Sequence, residues 1–231
     1  MPPIGPGTGL LPVDRPVLPS RAALRTLGPV RLLLIRHGQT SANVGRLLDT
    51  AVPGADLTDE GRLQAQDLVG KLEQQPLEAI YVSDLVRTHQ TAAPLAAARG
   101  LVPVIRPGLR EIQAGDFEMA PDDASWEAYL AVLYRWAAGE PEARIPHGEN
   151  GVEVMSRYDA VVAEIAATHE RAAIVSHGAV IRAWSGARAR NIDPQFVADT
   201  RLGNTAVVVL DGTPAAGWVV RTWADTAPPS I

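Results

Sequence analysis

The sequence contains no cysteine, which excludes disulfides, thiolate catalysis and cysteine-ligated metal sites. Positive charge is not in excess either, since the formal net charge is -5 and the isoelectric point is about 5.5. Such a chain lacks the basic surface with which proteins bind nucleic acid or anionic lipid. No apolar run approaches the roughly 20 residues of a transmembrane helix. The composition predicts a cytoplasmic protein that binds neither nucleic acid nor a membrane.

The first 29 residues are rich in proline and glycine and lack the continuous apolar stretch of a secretory signal. We predict a flexible arm over residues 1–29. Its Gly5–Gly9 segment follows no strand and contains too many helix breakers to be a nucleotide-binding loop. Residues 30–231 are predicted to form one catalytic domain.

Short β-rich runs alternate with longer helical patterns after the arm, which predicts βαβ units and an α/β fold. We expect a three-layer sandwich with a mainly parallel sheet and an antiparallel edge strand. The predicted strands cover residues 30–36, 79–83, 102–106, 172–176, 205–210 and 218–222. The last two are expected to form a hairpin around a turn at 211–214. Helices are predicted from Thr58, with an apolar stripe of Leu63, Leu68 and Leu72, and at 85–98, around 126–133, at 152–168 and at 179–189.

Two of these strands end in a histidine followed by glycine. The first runs into Arg36, His37 and Gly38, and the strand that ends at Ser176 runs into His177 and Gly178. In open α/β sheets, ligands bind outside the carboxyl ends of the strands. We therefore expect the two imidazoles to meet at one edge of the sheet.

Arginine beside these histidines favours phosphoryl transfer, because guanidinium groups bind phosphate oxygens with paired hydrogen bonds. The candidate clamps are Arg36 and Arg87, which lies at a second strand-to-helix junction. Gly178 could add backbone N–H donors at a helix N-terminus. His37 is predicted to be the nucleophile that attacks phosphorus, with one ring nitrogen held by a hydrogen bond.

Hydrolysis also requires a proton for the leaving alkoxide and a base for water. We predict that Glu111 performs both tasks, because a neighbouring anionic phosphate favours its protonated form, and we keep Glu118 and Asp116 as alternatives. The sequence shows no pair of metal-binding motifs. Two arginines and two histidines can neutralise a phosphate, so we expect no metal and no cofactor.

The motifs resemble the histidine phosphatase superfamily, in the branch that contains the phosphoglycerate mutases. The resemblance covers about residues 30–210 and rests on Arg36 to Thr40 with Asn43, Ser83 to Ala92, Leu109 to Glu111 with Gly115, Gly148-Glu149, and Ser176 to Gly178. It implies that His37 becomes phosphohistidine, that Arg36, Arg87 and His177 bind the phosphoryl group, that Gln39 and Asn43 line the pocket, and that Glu111 donates the proton.

Mutases of this family carry an adjacent pair of arginines in the insertion, and the sequence has none between Glu111 and His177. This favours a metal-independent phosphatase acting on a small phosphorylated metabolite. The alternatives are a 2,3-bisphosphoglycerate-dependent phosphoglycerate mutase and a noncatalytic phosphate-binding module. The insertion, about residues 107–151, is expected to shape the pocket. The expected partners are the small substrate and, in a homodimer, a second copy of the chain.

Overall fold

The computed structural model describes residues 28–224 and 226–229, so the predictions for the Gly5–Gly9 segment and the rest of 1–27 lie outside the described residues. One six-stranded sheet forms the centre of the fold. Its strands are β1 (Val30–Arg36), β2 (Ala79–Val82), β3 (Val104–Ile105), β4 (Arg171–Ser176), β5 (Val207–Thr213) and β6 (Gly217–Trp223). The spatial order is β3-β2-β4-β1-β5-β6. The first four strands are parallel to one another, and β5 pairs antiparallel with both β1 and β6, which confirms the predicted α/β class.

Helices cover both faces of this sheet. They are α1 (Ser41–Val44), α2 (Asp59–Lys71), α3 (Val86–Arg99), α4 (Asp123–Ala137), α5 (Gly151–Thr168), α6 (Gly178–Arg188) and α7 (Pro194–Asp199). Successive side chains of β1 point to opposite faces of the sheet. Leu33 and Ile35 pack with α2 and α3, whereas Leu32 and Leu34 join the larger cluster that includes α5 and α6. The three layers follow from this alternation.

Two predicted details of the elements are wrong. Leu63 is 56% exposed, and Ala65 is buried beside Leu68 and Leu72 in its place. Leu63 lies roughly 140° around the helix from Leu68, so it cannot share that face. The β5–β6 turn also lies later than predicted, because β5 continues through Asp211, whose carboxylate accepts hydrogen bonds from Arg31 at 2.8 Å and from Arg221 at 3.0 Å.

Three further differences concern short elements. The predicted strand at 102–106 is reduced to two residues in β3. Helices α1 and α7 were not predicted, since four and six residues are too few for a hydrophobic period. The insertion at 107–151 contains α4 and two single 3₁₀ turns, Pro107–Leu109 and Gly115–Phe117. None of the helices in the described part of the chain has the length and apolar character to span a bilayer.

A close backbone contact fixes the loop after β1 against the start of α2. A Cβ atom on Gly38 would lie 2.6 Å from the carbonyl oxygen of Gly61, and one on Gly61 would lie 2.1 Å from that of Gln39. Gly38 does not adopt a positive φ, so close approach requires glycine here, rather than the tight turn that the sequence suggested. The contact holds the residue after His37 in place.

Candidate active site

His37 and His177 lie side by side at the carboxyl edge of the sheet. Strands β1 and β4 are parallel neighbours, with Arg36 opposite Ser176, so the residue that follows each strand projects from the same edge. The two imidazole ring centroids are 5.3 Å apart, and both side chains are buried. The structure therefore brings together the two histidines that the sequence placed at strand ends.

The hydrogen bond of His37 identifies which ring nitrogen carries the proton. Nδ1 lies 2.7 Å from the carbonyl oxygen of Gly38. Because a carbonyl oxygen only accepts, Nδ1 must carry the hydrogen, which leaves Nε2 without a proton in the neutral ring. Burial, followed by the positive charges of Arg87 and Arg36, holds the pKa of His37 well below its usual value. The ring is neutral at neutral pH, and Nε2 has a free lone pair.

His177 is oriented by a buried serine. Its Nε2 lies 2.8 Å from Oγ of Ser83, which is also 3.0 Å from Oγ1 of Thr88. The other ring nitrogen, Nδ1, is buried without a hydrogen-bond partner among the described residues. Burial is the main cause that lowers the pKa of His177, and Arg87 is the next. His177 thus keeps one nitrogen available to a ligand.

Arg36 and Arg87 are both held in place by hydrogen bonds. Arg36 Nη1 donates to the carbonyl of Leu202 at 2.8 Å, whereas Arg87 donates from Nη2 to the carbonyl of Asp49 at 2.7 Å and from Nη1 to the carboxylate of Asp49 at 3.2 Å. Within residues 28–224 and 226–229, the Nε atoms of both are buried without a partner. Burial lowers the pKa of each arginine, but both remain cations at neutral pH. Two oriented N–H donors beside two imidazoles can bind a tetrahedral anion.

Glu111 occupies the N-terminus of α6. Its Oε2 accepts from the backbone N–H of Ala179 at 3.0 Å, and its Oε1 accepts from that of Val180 at 2.8 Å. The sequence predicts that Gly178 at this helix end offers a backbone N–H to phosphate. Gly178 lines the cavity, and the carboxylate of Glu111 engages the N–H groups of the two residues that follow it. Gly178 also faces Arg36, whose Nε would be 3.2 Å from a Cβ at this position.

The two alternative acids have other partners. Asp116 lies 2.7 Å from Nδ1 of His147, and both side chains are largely exposed. Glu118 accepts from the backbone N–H groups of Thr50 at 2.7 Å and Ala51 at 3.0 Å. Of the three acids, only Glu111 lines the cavity that contains His37. Geometry favours Glu111 as the proton donor.

The two polar residues expected to line the pocket behave differently. Asn43 lines the cavity, and its Oδ1 accepts from Nδ2 of Asn204 at 3.0 Å. The structure does not bring Gln39 to the cavity wall. Its Oε1 accepts from the hydroxyl of Thr58 at 2.9 Å, so the side chain is committed to the start of α2.

Sequence reasoning missed three supporting residues. Ser83 orients His177, Asn204 donates to the carbonyl of His37 at 3.0 Å, and Arg157 donates to the carbonyl of Glu111 at 3.1 Å. Ser83 lies inside a recognised motif, so its position at a strand end was a usable signal. Asn204 is in a loop and Arg157 is in the middle of α5, and neither belongs to a motif.

Paired imidazoles and guanidiniums at the edge of a mostly parallel sheet define an enzyme site for phosphoryl groups. Residues 32–226 match the family model of the histidine phosphatase superfamily (branch 1), and the chain belongs to this superfamily. The match confirms the predicted family, and with the solved phosphatase described next it confirms the predicted enzyme class, a phosphatase.

Three relatives illustrate the range of similarity. The PE-PGRS family protein PE_PGRS11 of Mycobacterium tuberculosis is 35% identical over 207 residues, which cover 82% of this chain and only 35% of that protein. A probable phosphoglycerate mutase GpmB of Proteus mirabilis is 31% identical, with 86% of this chain and 94% of that protein covered. The solved mycobacterial glucosyl-3-phosphoglycerate phosphatase Rv2419c, complexed with VO3, is 31% identical with a TM-score of 0.71 over 85% of this chain and 100% of that chain.

Proposed function

We propose that this protein is a metal-independent phosphatase that hydrolyses a small phosphorylated metabolite through a phosphohistidine intermediate on His37. The observation that carries the proposal is the hydrogen bond from His37 Nδ1 to the carbonyl of Gly38. It leaves a neutral, unprotonated Nε2 between two buried cations. An imidazole held in this tautomer is a nucleophile rather than an acid.

The reaction then has two steps. In the first, Nε2 of His37 forms a bond to phosphorus while the bond from phosphorus to the ester oxygen breaks, and Glu111 gives the leaving oxygen its proton. Arg36 and Arg87 place positive charge beside the phosphoryl oxygens, and His177 donates a hydrogen bond to them from Nδ1. In the second, Glu111 takes a proton from water, the water oxygen bonds to phosphorus, and the bond to Nε2 breaks, so that inorganic phosphate leaves.

The similarity to Rv2419c supports the binding part of this proposal, because that phosphatase was solved with VO3, a stand-in for the phosphoryl group. Of the four groups that would bind the phosphoryl group here, two are arginine cations and two are neutral imidazoles. The two cations offset the charge of the substrate without a metal. Metal independence is tested directly by measuring turnover in excess chelator.

A phosphoglycerate mutase is the second candidate, and the similarity to the probable mutase GpmB favours it. A mutase returns the phosphoryl group to a second hydroxyl instead of to water. Assays of 3-phosphoglycerate with and without 2,3-bisphosphoglycerate separate the two activities. Release of phosphate without isomerisation supports the phosphatase, whereas primer-dependent isomerisation overturns it.

The covalent intermediate is tested by rapid acid-free quenching after mixing with a ³²P-labelled ester. We expect a label on the protein that is stable in alkali and labile in acid, at His37. The variant His37→Ala should carry no label and lose turnover by at least about 10⁴-fold. His147→Ala is the control, because the His147 ring is exposed and hydrogen-bonded to Asp116. This variant should be labelled as strongly as the wild type. Sustained turnover in His37→Ala would reject the nucleophile.

A further inference from the structure

The cavity that contains His37 is much larger than a phosphoryl group. Its volume is about 960 Å³, and it extends from the phosphate-binding residues to a space between α4, α5, α6 and α7. An ester with eleven non-hydrogen atoms, such as 3-phosphoglycerate, leaves most of this volume unfilled. The remaining space, which we name the apolar chamber, is available to the organic part of a substrate.

The walls of the apolar chamber are mostly hydrocarbon. Helix α4 contributes Leu130 and Leu133, α5 contributes Met155, and α7 contributes Val197. Indole and phenol rings of α4 also line it. Apolar walls of this extent bind an apolar group, because a sugar or polyol would lose hydrogen bonds to water that such side chains cannot replace.

Small residues on one face of α6 create the space. Ala179, Ala183, Gly186 and Ala187 line the chamber at helical spacing, while larger side chains such as Trp184 turn into the core. The chamber is continuous with the phosphate pocket, where the Nε of Arg87 is buried without a partner in the described part of the chain. The same ligand therefore reaches both.

The charged groups of the chamber beyond the phosphate pocket are already engaged. Arg46 pairs with Asp123 at 3.2 Å, and Arg188 pairs with Asp159 at 2.6 Å. Arg182 donates to backbone carbonyls at the C-terminal end of α7. A second anionic group would compete with these carboxylates and carbonyls for the arginines, whereas an uncharged group leaves all of these contacts intact.

We propose that the substrate is a phosphate monoester whose alcohol is a large, uncharged and mainly apolar group, and that the chamber under α4 binds this group. The inference rests on the proposed phosphatase function and specifies its substrate class. It excludes phosphoglycerates and sugar phosphates as preferred substrates.

The test uses esters that all release a primary alcohol, so that leaving-group acidity is matched. Propyl, hexyl and 2-(1-naphthyl)ethyl phosphate form the apolar series, and 3-phosphoglycerate and glucose 6-phosphate form the polar set. We expect kcat/KM to rise about 100-fold from the propyl to the naphthylethyl ester, because the ring buries apolar surface in the chamber. A flat series, or faster hydrolysis of the polar set, overturns the inference but leaves the phosphatase function standing. Hydrolysis of none of the five overturns both.

Ala183→Phe adds a ring to the wall of the chamber, at a residue that is not one of the phosphate-binding groups. This variant should lose at least tenfold in kcat/KM for the naphthylethyl ester and stay within twofold of the wild type for the propyl ester, which also shows that it folds. Ala97→Phe makes the same change at an exposed position of α3, on the other face of the sheet, and should alter neither value. An equal loss for both esters in Ala183→Phe would contradict the assignment.

Discussion

The two ends of the cavity are built in opposite ways. At the phosphate end, buried polar side chains are held by specific hydrogen bonds, such as Ser83 to His177 at 2.8 Å and Arg36 to the carbonyl of Leu202 at 2.8 Å. In the apolar chamber, aliphatic residues of separate helices face an open space. The first arrangement selects a charge and a geometry, whereas the second selects size and polarity. One site thus separates the chemistry of the reaction from the choice of substrate.

This comparison predicts that changes at the phosphate end lower activity on alkyl esters of different size by the same factor. Arg87→Leu is expected to give the largest such effect, about 10³-fold in kcat/KM on both the propyl and the naphthylethyl ester, because a buried cation next to the transferred group is lost. Arg87→Lys keeps the positive charge but loses the planar guanidinium with its paired N–H donors. It should therefore retain about a tenth of the wild-type kcat/KM. Steady-state kinetics of the two esters measure this.

Arg99→Leu is the control for Arg87→Leu. Arg99 lies in the last turn of α3 and donates to the backbone carbonyl of Glu73 at 3.0 Å, away from the cavity. Its loss should cost about 1 kcal/mol of unfolding free energy at most and leave kcat/KM within twofold. Should Arg87→Leu affect one ester tenfold more than the other, the separation between the two ends of the cavity would be wrong.

The approach of the two histidines could be predicted from the sequence, and the chamber could not, for a physical reason. His37 and His177 each follow a strand that has a continuous apolar run, so local pattern and the rules of parallel sheets suffice to bring them together. Gln39 was expected at the pocket and is not there, because a contact with Thr58 decides its direction. Short motifs specify backbone position better than side-chain direction.

The rest of the site depends on contacts between segments that are far apart in the sequence. Asn204 meets the carbonyl of His37 across 167 positions, and no local pattern signals that pairing. The chamber depends on how α4 packs over α6, and the small residues of α6 alone are equally typical of tight helix packing. Volume between elements is a property of their packing and has no sequence motif.

Glu111→Gln sharpens the comparison by separating chemistry from binding. We expect about a 100-fold loss on alkyl esters, whose alcohols need a proton, and less than a tenfold loss on 4-nitrophenyl phosphate, whose leaving group needs little protonation. The loss on alkyl esters should not depend on their size. Glu118→Gln tests the alternative donor and should show no dependence on leaving group. Equal losses on alkyl and aryl esters in Glu111→Gln would count against Glu111 as the acid.

The smallest expected effect concerns Ser83, which touches His177 but not the cavity. Ser83→Ala removes the hydroxyl that contacts Nε2 of His177, so the ring is less firmly oriented and Nδ1 binds phosphate less well. The inhibition constant of inorganic phosphate should therefore rise about tenfold. Ser185→Ala is a matched control, since its hydroxyl is buried without a partner among the described residues and its removal should be neutral for phosphate binding. Both variants should keep the wild-type ratio between the propyl and naphthylethyl esters. If Ser83→Ala changed that ratio and left phosphate inhibition unaltered, the orientation of His177 would belong to substrate selection, and the two ends of the cavity would not be independent.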